Sequence, residues 1–197
     1  PVSFGIRHLA PLWADFMASH AQLNLDLTLT DRFIDLVDEG FDMAVRIARM
    51  PSSSLVSRRL ASTRMVLCAS PAYLRGHGEP RRPADLAAHV VLAYNLLATG
   101  DSWEFEGPKG TATVRVKARM QTNSGDTCRA VALADGGIVL QPSFLVDEDL
   151  ASGALVEVMP GYRGAELGIY AIYPTRKHIP PKVRLLIDFL AARLQRN

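Results

Sequence analysis

Two hydrophobic periods alternate along this chain, and the alternation leaves it few ways to fold. Residues 5–19 repeat apolar side chains at helical spacing, through Leu9, Leu12, Trp13, Phe16 and Met17. The stretch "LNLDLTLT" (23–30) changes to a period of two, with Leu23, Leu25, Leu27 and Leu29 on one face, which predicts a strand. Asp31 is placed to cap a short helix over "FIDLVDE" that stops at Gly40, and "FDMAVRI" (41–47) reads as a second strand. Helix, strand, helix, strand is the rhythm of a parallel α/β layer, in which each element covers the apolar face of the next. A unit that opens on a helix is short of its first strand. With no Met at position 1, the start reads as a fragment cut within or just after a strand.

Further along, "ARMPSSS" (48–54) has the composition of a loop. "LVSRRLA" and "TRMVLCAS", within 55–70, read as two strands, "PAYLRGHG" and "RRPADLAAH" as short helices, and "VVLAYN" as a strand. "SWEFEG-PKG-TATVRVKARM" predicts a hairpin turning at Gly107–Gly110; Val114, Val116, Ala118 and Met120 face one way, Arg115, Lys117 and Arg119 the other. A polar knot at 123–126 precedes a helix over 127–135, which Gly136 and Gly137 close, and the strand "GIVLQP" follows. A helix near 142–151 and the strands "ALVEVMP" and "LGIYAIYP" come next. The last helix carries the stripe Val183, Leu186, Ile187, Leu190 and Leu194 after two prolines suited to a helix start. The rhythm changes after about residue 70. Two α/β subdomains are therefore expected, with crossover strands around 64–70 and 168–173 and the final helix returning to the first subdomain.

Composition narrows the function classes. The 197 residues are 48% hydrophobic with a net charge of +2, which suits a chain with a sizeable core and argues against disorder. No run of about 18 apolar residues exists, so no membrane span is expected. The start has no basic n-region and apolar core of a signal peptide. Basic and acidic residues nearly balance, 22 against 20, and no basic helix stands out, so this stretch is not expected to bind DNA itself. Cys68 and Cys128 have neither metal-ligand spacing nor a disulfide framework and read as buried thiols in a reducing compartment. The histidines His8, His20, His77, His89 and His178 are scattered, Ser3 lacks a GxSxG elbow, and no acid–base pair assembles. Neither an enzyme, a cofactor nor a metal site is expected.

The knot Asn123, Ser124, Gly125 and Asp126 has two readings. It is an ordinary helix cap, or it is a ligand-facing helix start whose free N–H groups and dipole favour anionic or carbonyl groups. "PVSFG" (1–5) and "LTDRF" (29–33) have the same form, and three such turns could meet at one crevice. Arg32 and Arg46 either present a fork of donors to a carboxylate or pair with Asp31, Asp35 or Asp42.

The stretches "PVSFGIRHLAPLWADF", "LTDRFIDLVDEGFDMAVRIARMPSSSLVSRRLA", "VLCASPAYLRGHGEPRRPADLAAH", "NSGDTCRAVALADGGIVLQP" and "GIYAIYPTRKHIPPKVRLLIDFLAARL" together resemble, in order and over nearly the whole chain, the effector-binding domain of LysR-type transcriptional regulators. The resemblance implies an α/β fold of two Rossmann-like subdomains joined by two crossover strands, similar to type 2 periplasmic binding proteins. Subdomain I would hold 1–67 plus 173–197 and subdomain II 68–172. The family's N-terminal winged helix-turn-helix would lie outside this chain. A small-molecule effector, anionic or aromatic, would bind in the cleft between the subdomains and shift the geometry of a homodimer or homotetramer in the cytoplasm. DNA would be met only through the missing N-terminal domain, and no membrane is involved. The alternative is a transporter's solute-binding protein of the same fold. Carried over position by position, the ligand contacts fall on Ser3, Phe4, Thr30, Asp31, Arg32, Arg46, Tyr94, Asn95, Asn123, Ser124, Gly125 and Asp126. With the resemblance counted, the ligand-facing reading of the knot is the favoured one.

Overall fold

In the computed structural model, which describes residues 1–49, 56–174 and 179–195, the first helix starts at Val2 and runs through three windings. These are α1 (Val2–Phe4), a π-wound segment (Gly5–Leu9) and α2 (Ala10–Ser19). Phe4 and Leu9 are both buried. They stand five residues apart, the hydrogen-bond spacing of a π turn, so the wider winding brings both to the core. Gly5 packs closely under Leu29: a Cβ there would lie 2.6 Å from Leu29 Cδ2, so the leucine would have to shift.

Residues 23–30 form no strand, contrary to their alternation, and among the described residues they join no ladder. A strand needs a partner row of backbone groups, and the period of two reports only which faces differ. Leu27 and Leu29 are each 47% exposed. The helix expected over 33–39 is absent too. Asp35 Oδ1 accepts from the Val37 and Asp38 amides at 2.8 and 3.2 Å, which makes a single turn, and it ends at Gly40 with φ +74°. Asp31 caps a different helix: its Oδ1 accepts from the Val2 amide, 2.9 Å, at the start of α1. The parallel opening layer is therefore a misreading. The neighbouring strand β1 (Ala44–Ala48) pairs antiparallel with a strand from the far end of the chain. The loop expected over 48–54 lies, from residue 50 on, outside the described residues.

The two strands expected within 55–70 are one, β2 (Val56–Ala69). The chain divides into unit 1, residues 1–63 with 167–197, and unit 2, Arg64–Glu166. β2 passes from the first to the second, and the strand that later pairs with β1 passes back.

Unit 2 is built on three parallel strands. β3 (Val91–Tyr94) lies between β6 (Ala118–Thr122) and β7 (Ile138–Pro142). β2 runs antiparallel to β7, with Val66 opposite Gln141, and β8 (Val156–Glu157) pairs with β2. A second sheet holds the hairpin β4 (Ser102–Gly107) and β5 (Gly110–Arg115), with β9 (Arg163–Gly164) added to β4. The second arm of the expected hairpin is thus divided, since β5 ends at Arg115 and β6 belongs to the other sheet. Val114, Ala118 and Met120 are half-buried and Val116 buried, while Arg115, Lys117 and Arg119 are exposed. Alternation continues through the change of sheet, so it could not reveal the change. α3 (Pro71–His77), α4 (Gly125–Leu133) and α5 (Ser143–Ser152) complete unit 2.

In unit 1, β10 (Glu166–Tyr173) sets Tyr170 opposite Arg46 of β1. α6 (Pro181–Leu194) buries Val183, Ile187, Leu190 and Leu194. Phe189 meets Phe16 edge to face at 5.1 Å, and Arg193 pairs with Asp15 at 2.8 Å, which seats α6 on α2. Two further ion pairs, Arg58–Asp188 and Asp42–Lys182, join the same helix to the early part of the chain. No helix among the described residues is long and apolar enough to cross a membrane.

Cys68 and Cys128 are fully buried with Val66, Leu92, Val139 and Leu145 in the core of unit 2. Burial pushes their thiols up, to about 12 and about 11. The thiolate is the reactive form, so both are expected to resist a disulfide reagent at neutral pH while the chain is folded, and to react together in denaturant. A thiol titrating in the folded chain as fast as free cysteine would contradict the assignment.

Candidate functional site

Each unit gathers part of the residues expected to meet a ligand. In unit 1 the start of α1, Asp31 and Arg46 share one neighbourhood. The start of α1 lies near enough to Asp31 and Arg46 to feel the charge of both. Asp31 is half-buried and occupied with the Val2 amide. Thr30 Oγ1 accepts from the Arg32 amide at 3.1 Å, a hydroxyl turn rather than a helix start. The third expected helix start is therefore absent, and two of the three head regular helices. Phe4 is 2% exposed and its ring stacks on His8 at 5.0 Å, so the ring serves the core. Ser3 is half-buried and Arg32 exposed.

Arg46 is more constrained than either sequence reading allowed. Nη2 donates to the Ile34 carbonyl at 2.6 Å, and the guanidinium carbon stands 3.6 Å above the centre of the Phe33 ring. Its pKa is lowered by burial, against which Asp35 acts. Phe33 is 87% exposed. An arginine tied by one nitrogen and stacked on an open ring is held in place while part of its fork stays available to a carboxylate. Phe33 and the Ile34 carbonyl were not foreseen; the sequence marked 33–39 only as helix.

In unit 2 the parallel strands end together. Tyr94 pairs with Thr122 in the β3–β6 register, and the Asn95 amide donates to the Thr122 carbonyl at 2.9 Å. Across β3 from β6, Leu92 pairs with Val139, and Tyr94 and Gln141 each stand two residues further on. The carboxyl ends of such strands are where open α/β sheets bind ligands. α4 begins at this edge. Thr122 Oγ1 accepts from the Ser124 amide at 3.2 Å. Ser124 is the N-cap of α4, and its Oγ accepts from the Thr127 amide and the Thr127 hydroxyl at 3.2 and 3.0 Å. Asn123 is exposed, and Asp126 sits in the first turn, where the helix dipole favours its charge. Tyr94 and Asn95, Asn123 and Ser124, Gly125 and Asp126 are thus brought to one edge of one sheet.

Gly125 is among the ligand contacts that the resemblance implies. It has helical rather than left-handed backbone, and a Cβ there would stand 2.9 Å from Leu145 Cδ2 and 3.0 Å from Gln141 Oε1. The space left by its missing side chain is shared by Leu145 and the amide oxygen of Gln141. This residue also escaped the sequence reading, although a lone amide in the apolar strand "GIVLQP" was the available signal.

Residues 1–195 match the family model described as LysR substrate binding domain. The chain is 36% identical over 183 residues to an uncharacterized HTH-type transcriptional regulator of Haemophilus influenzae, covering 93% of this chain and 64% of that protein. It is 33% identical over 197 residues to the HTH-type transcriptional regulator PtxR of Pseudomonas aeruginosa, covering all of this chain and 63% of PtxR. The chain therefore spans somewhat under two thirds of these relatives. Among solved structures, the regulatory domain of CrgA, a LysR-type transcriptional regulator from Neisseria meningitidis, superposes with a TM-score of 0.83 at 29% identity, over 97% of this chain and 94% of that one.

Proposed function

The chain belongs to the LysR substrate binding domain family, and from that premise we propose that it is the effector-sensing and oligomerising part of a LysR-type DNA-binding transcriptional regulator. The observation that carries the reading is the family match over residues 1–195, made by a chain of two α/β units connected by strands in both directions. The effector is a small molecule with carboxylate or carbonyl groups, aromatic or aliphatic. It binds through Ser3, Phe4, Thr30, Asp31, Arg32 and Arg46 of unit 1 and through Tyr94, Asn95 and Asn123 to Asp126 of unit 2. Its unequal affinity for two arrangements of a homodimer or homotetramer shifts their populations. That shift changes how a DNA-binding part outside this chain meets its operator, in the cytoplasm where the operator is reached. No cofactor or catalytic group takes part. The relatives named are transcriptional regulators, which supports regulation over turnover and over a transporter's solute-binding protein of the same fold.

Thermal unfolding of the chain against small carboxylates, aromatic acids, aldehydes and amino acids tests this. One class is expected to stabilise it, and a ligand at about 100 times its Kd adds about 2.7 kcal/mol to the folded state. Arg46→Ala and Asn123→Ala are each expected to remove the response. Consumption of the stabilising compound would defeat the reading. So would a full-length protein whose DNA affinity ignores every compound that stabilises it.

A further inference from the structure

Gln141 is an unusual residue for its place. It follows the buried, apolar Ile138, Val139 and Leu140 as the next-to-last residue of β7, and it is itself only 2% exposed. Its Nε2 has no hydrogen-bond partner among the described residues. A buried donor without an acceptor is costly, and an apolar side chain of the same size would leave nothing unpaired. Two hydroxyls near the start of α4 already accept hydrogen bonds. Thr122 Oγ1 takes the Ser124 amide, and Ser124 Oγ takes both the amide and the hydroxyl of Thr127. The amide oxygen of Gln141 stands 3.0 Å from where a Cβ on Gly125, the first residue of α4, would lie. A side-chain amide whose nitrogen has no partner among the described residues thus stands beside the first residue of a nine-residue helix.

We propose that Gln141 is a specificity-determining residue that donates through Nε2 to an acceptor oxygen of the effector, a carboxylate or a carbonyl, seated at the start of α4. The proposal rests on the reading that this helix start faces an effector, and it adds which group of the effector is recognised there. The N–H groups of the first turn of α4 and Nε2 are all donors, so a ligand oxygen satisfies both at once. A ligand presenting only donors satisfies neither. The carboxylate of Asp126 already occupies the first turn, so the neutral carbonyl is a real competitor to the charged group, and the two are separable by experiment.

The test is a nuclear magnetic resonance titration of the 197-residue chain with sodium acetate, acetamide and methylammonium chloride. The readouts are the side-chain amide of Gln141, assigned by its loss in Gln141→Met, and the backbone amides of Ser124 to Thr127. Acetate or acetamide is expected to move both sets and methylammonium neither. Movement with acetate alone names a carboxylate, and equal movement with acetamide names a neutral carbonyl. Movement with methylammonium alone means the amide presents its oxygen, and overturns the proposal. Movement of the α4 amides without Gln141 keeps α4 as an effector contact and removes Gln141 from it. No movement with any probe overturns the proposal, while effector binding is decided separately by the thermal panel. Gln141→Met is also expected to leave the melting temperature of the ligand-free chain unchanged or raised. A clear fall there would make Gln141 a structural residue, and Gln141→Asn, which keeps the amide but shortens its reach, repeats the comparison if the methionine variant does not fold. For any stabilising compound found in the panel, Gln141→Met is expected to weaken binding about tenfold to a hundredfold, the loss of one hydrogen bond to a charged group.

Discussion

Replacing Arg129 with methionine is expected to destabilise the chain by about 3–5 kcal/mol, because it leaves a buried carboxylate without its counter-charge. Asp149 of α5 is 6% exposed, and Arg129 of α4 grips both its oxygens, Nε on Oδ2 and Nη2 on Oδ1 at 2.6 Å. The same bonds raise the pKa of the arginine. Taking two charges out of water is costly, and only a two-toothed geometry of this kind offsets it. The pair also ties α4 to α5, the helix whose Leu145 packs in the unit 2 core. Asp149→Leu combined with Arg129→Met is expected to recover most of the loss, since two apolar side chains need no partner. Urea unfolding of the single and double variants checks this. A single change costing under about 1 kcal/mol, the range of an exposed ion pair, would mean that water reaches Asp149.

Trp103→Ala is the second large effect, at about 3–5 kcal/mol. Trp103 is 1% exposed and lies in β4 opposite Val114, two residues before Phe105, which is equally buried on the same face. Removing the indole leaves a cavity that a small three-stranded sheet can close only in part. The indole carries its own penalty, because Nε1 has no hydrogen-bond partner among the described residues. Trp103→Phe removes that orphan donor together with some volume, so it is expected to lose less than half of what alanine loses. Denaturation midpoints of the two variants decide the matter. A phenylalanine variant as unstable as the alanine one would show that Nε1 is bonded, through water if not through protein.

Elements whose signal is local were legible in the amino-acid order. The stripe of α6, the Ser124 cap of α4 and the apolar run of β7 each state their own conformation within a turn or two. Elements that depend on a distant partner were not. Residues 23–30 alternate as a strand should, yet no described strand lies beside them to make a ladder. β5 and β6 share one unbroken alternation and belong to different sheets. Asp31 has the right chemistry for a cap, and the helix it caps starts 29 residues earlier in the chain. The candidate site divides in the same way. Capping residue types pointed to Asn123–Asp126, while Phe33 beneath Arg46 and Gln141 beside Gly125 are contacts between separate segments, visible only once the chain has closed on itself.

The passage of the chain out of unit 1 and back again sets an order of synthesis. The ends of unit 2 meet, with the Met65 amide donating to the Ala165 carbonyl at 2.8 Å, so residues 64–166 form a self-closed insertion. On a ribosome that insertion is complete before α6 has been made. Unit 1, whose residues 1–63 are made before unit 2, still lacks β10 and the helix that joins Asp15, Asp42 and Arg58 through Arg193, Lys182 and Asp188. Domains usually mature in the order they are translated. Here the order is reversed: residues 1–63 are made before unit 2 but reach their full packing, including the Phe16–Phe189 contact, only once α6 has been made.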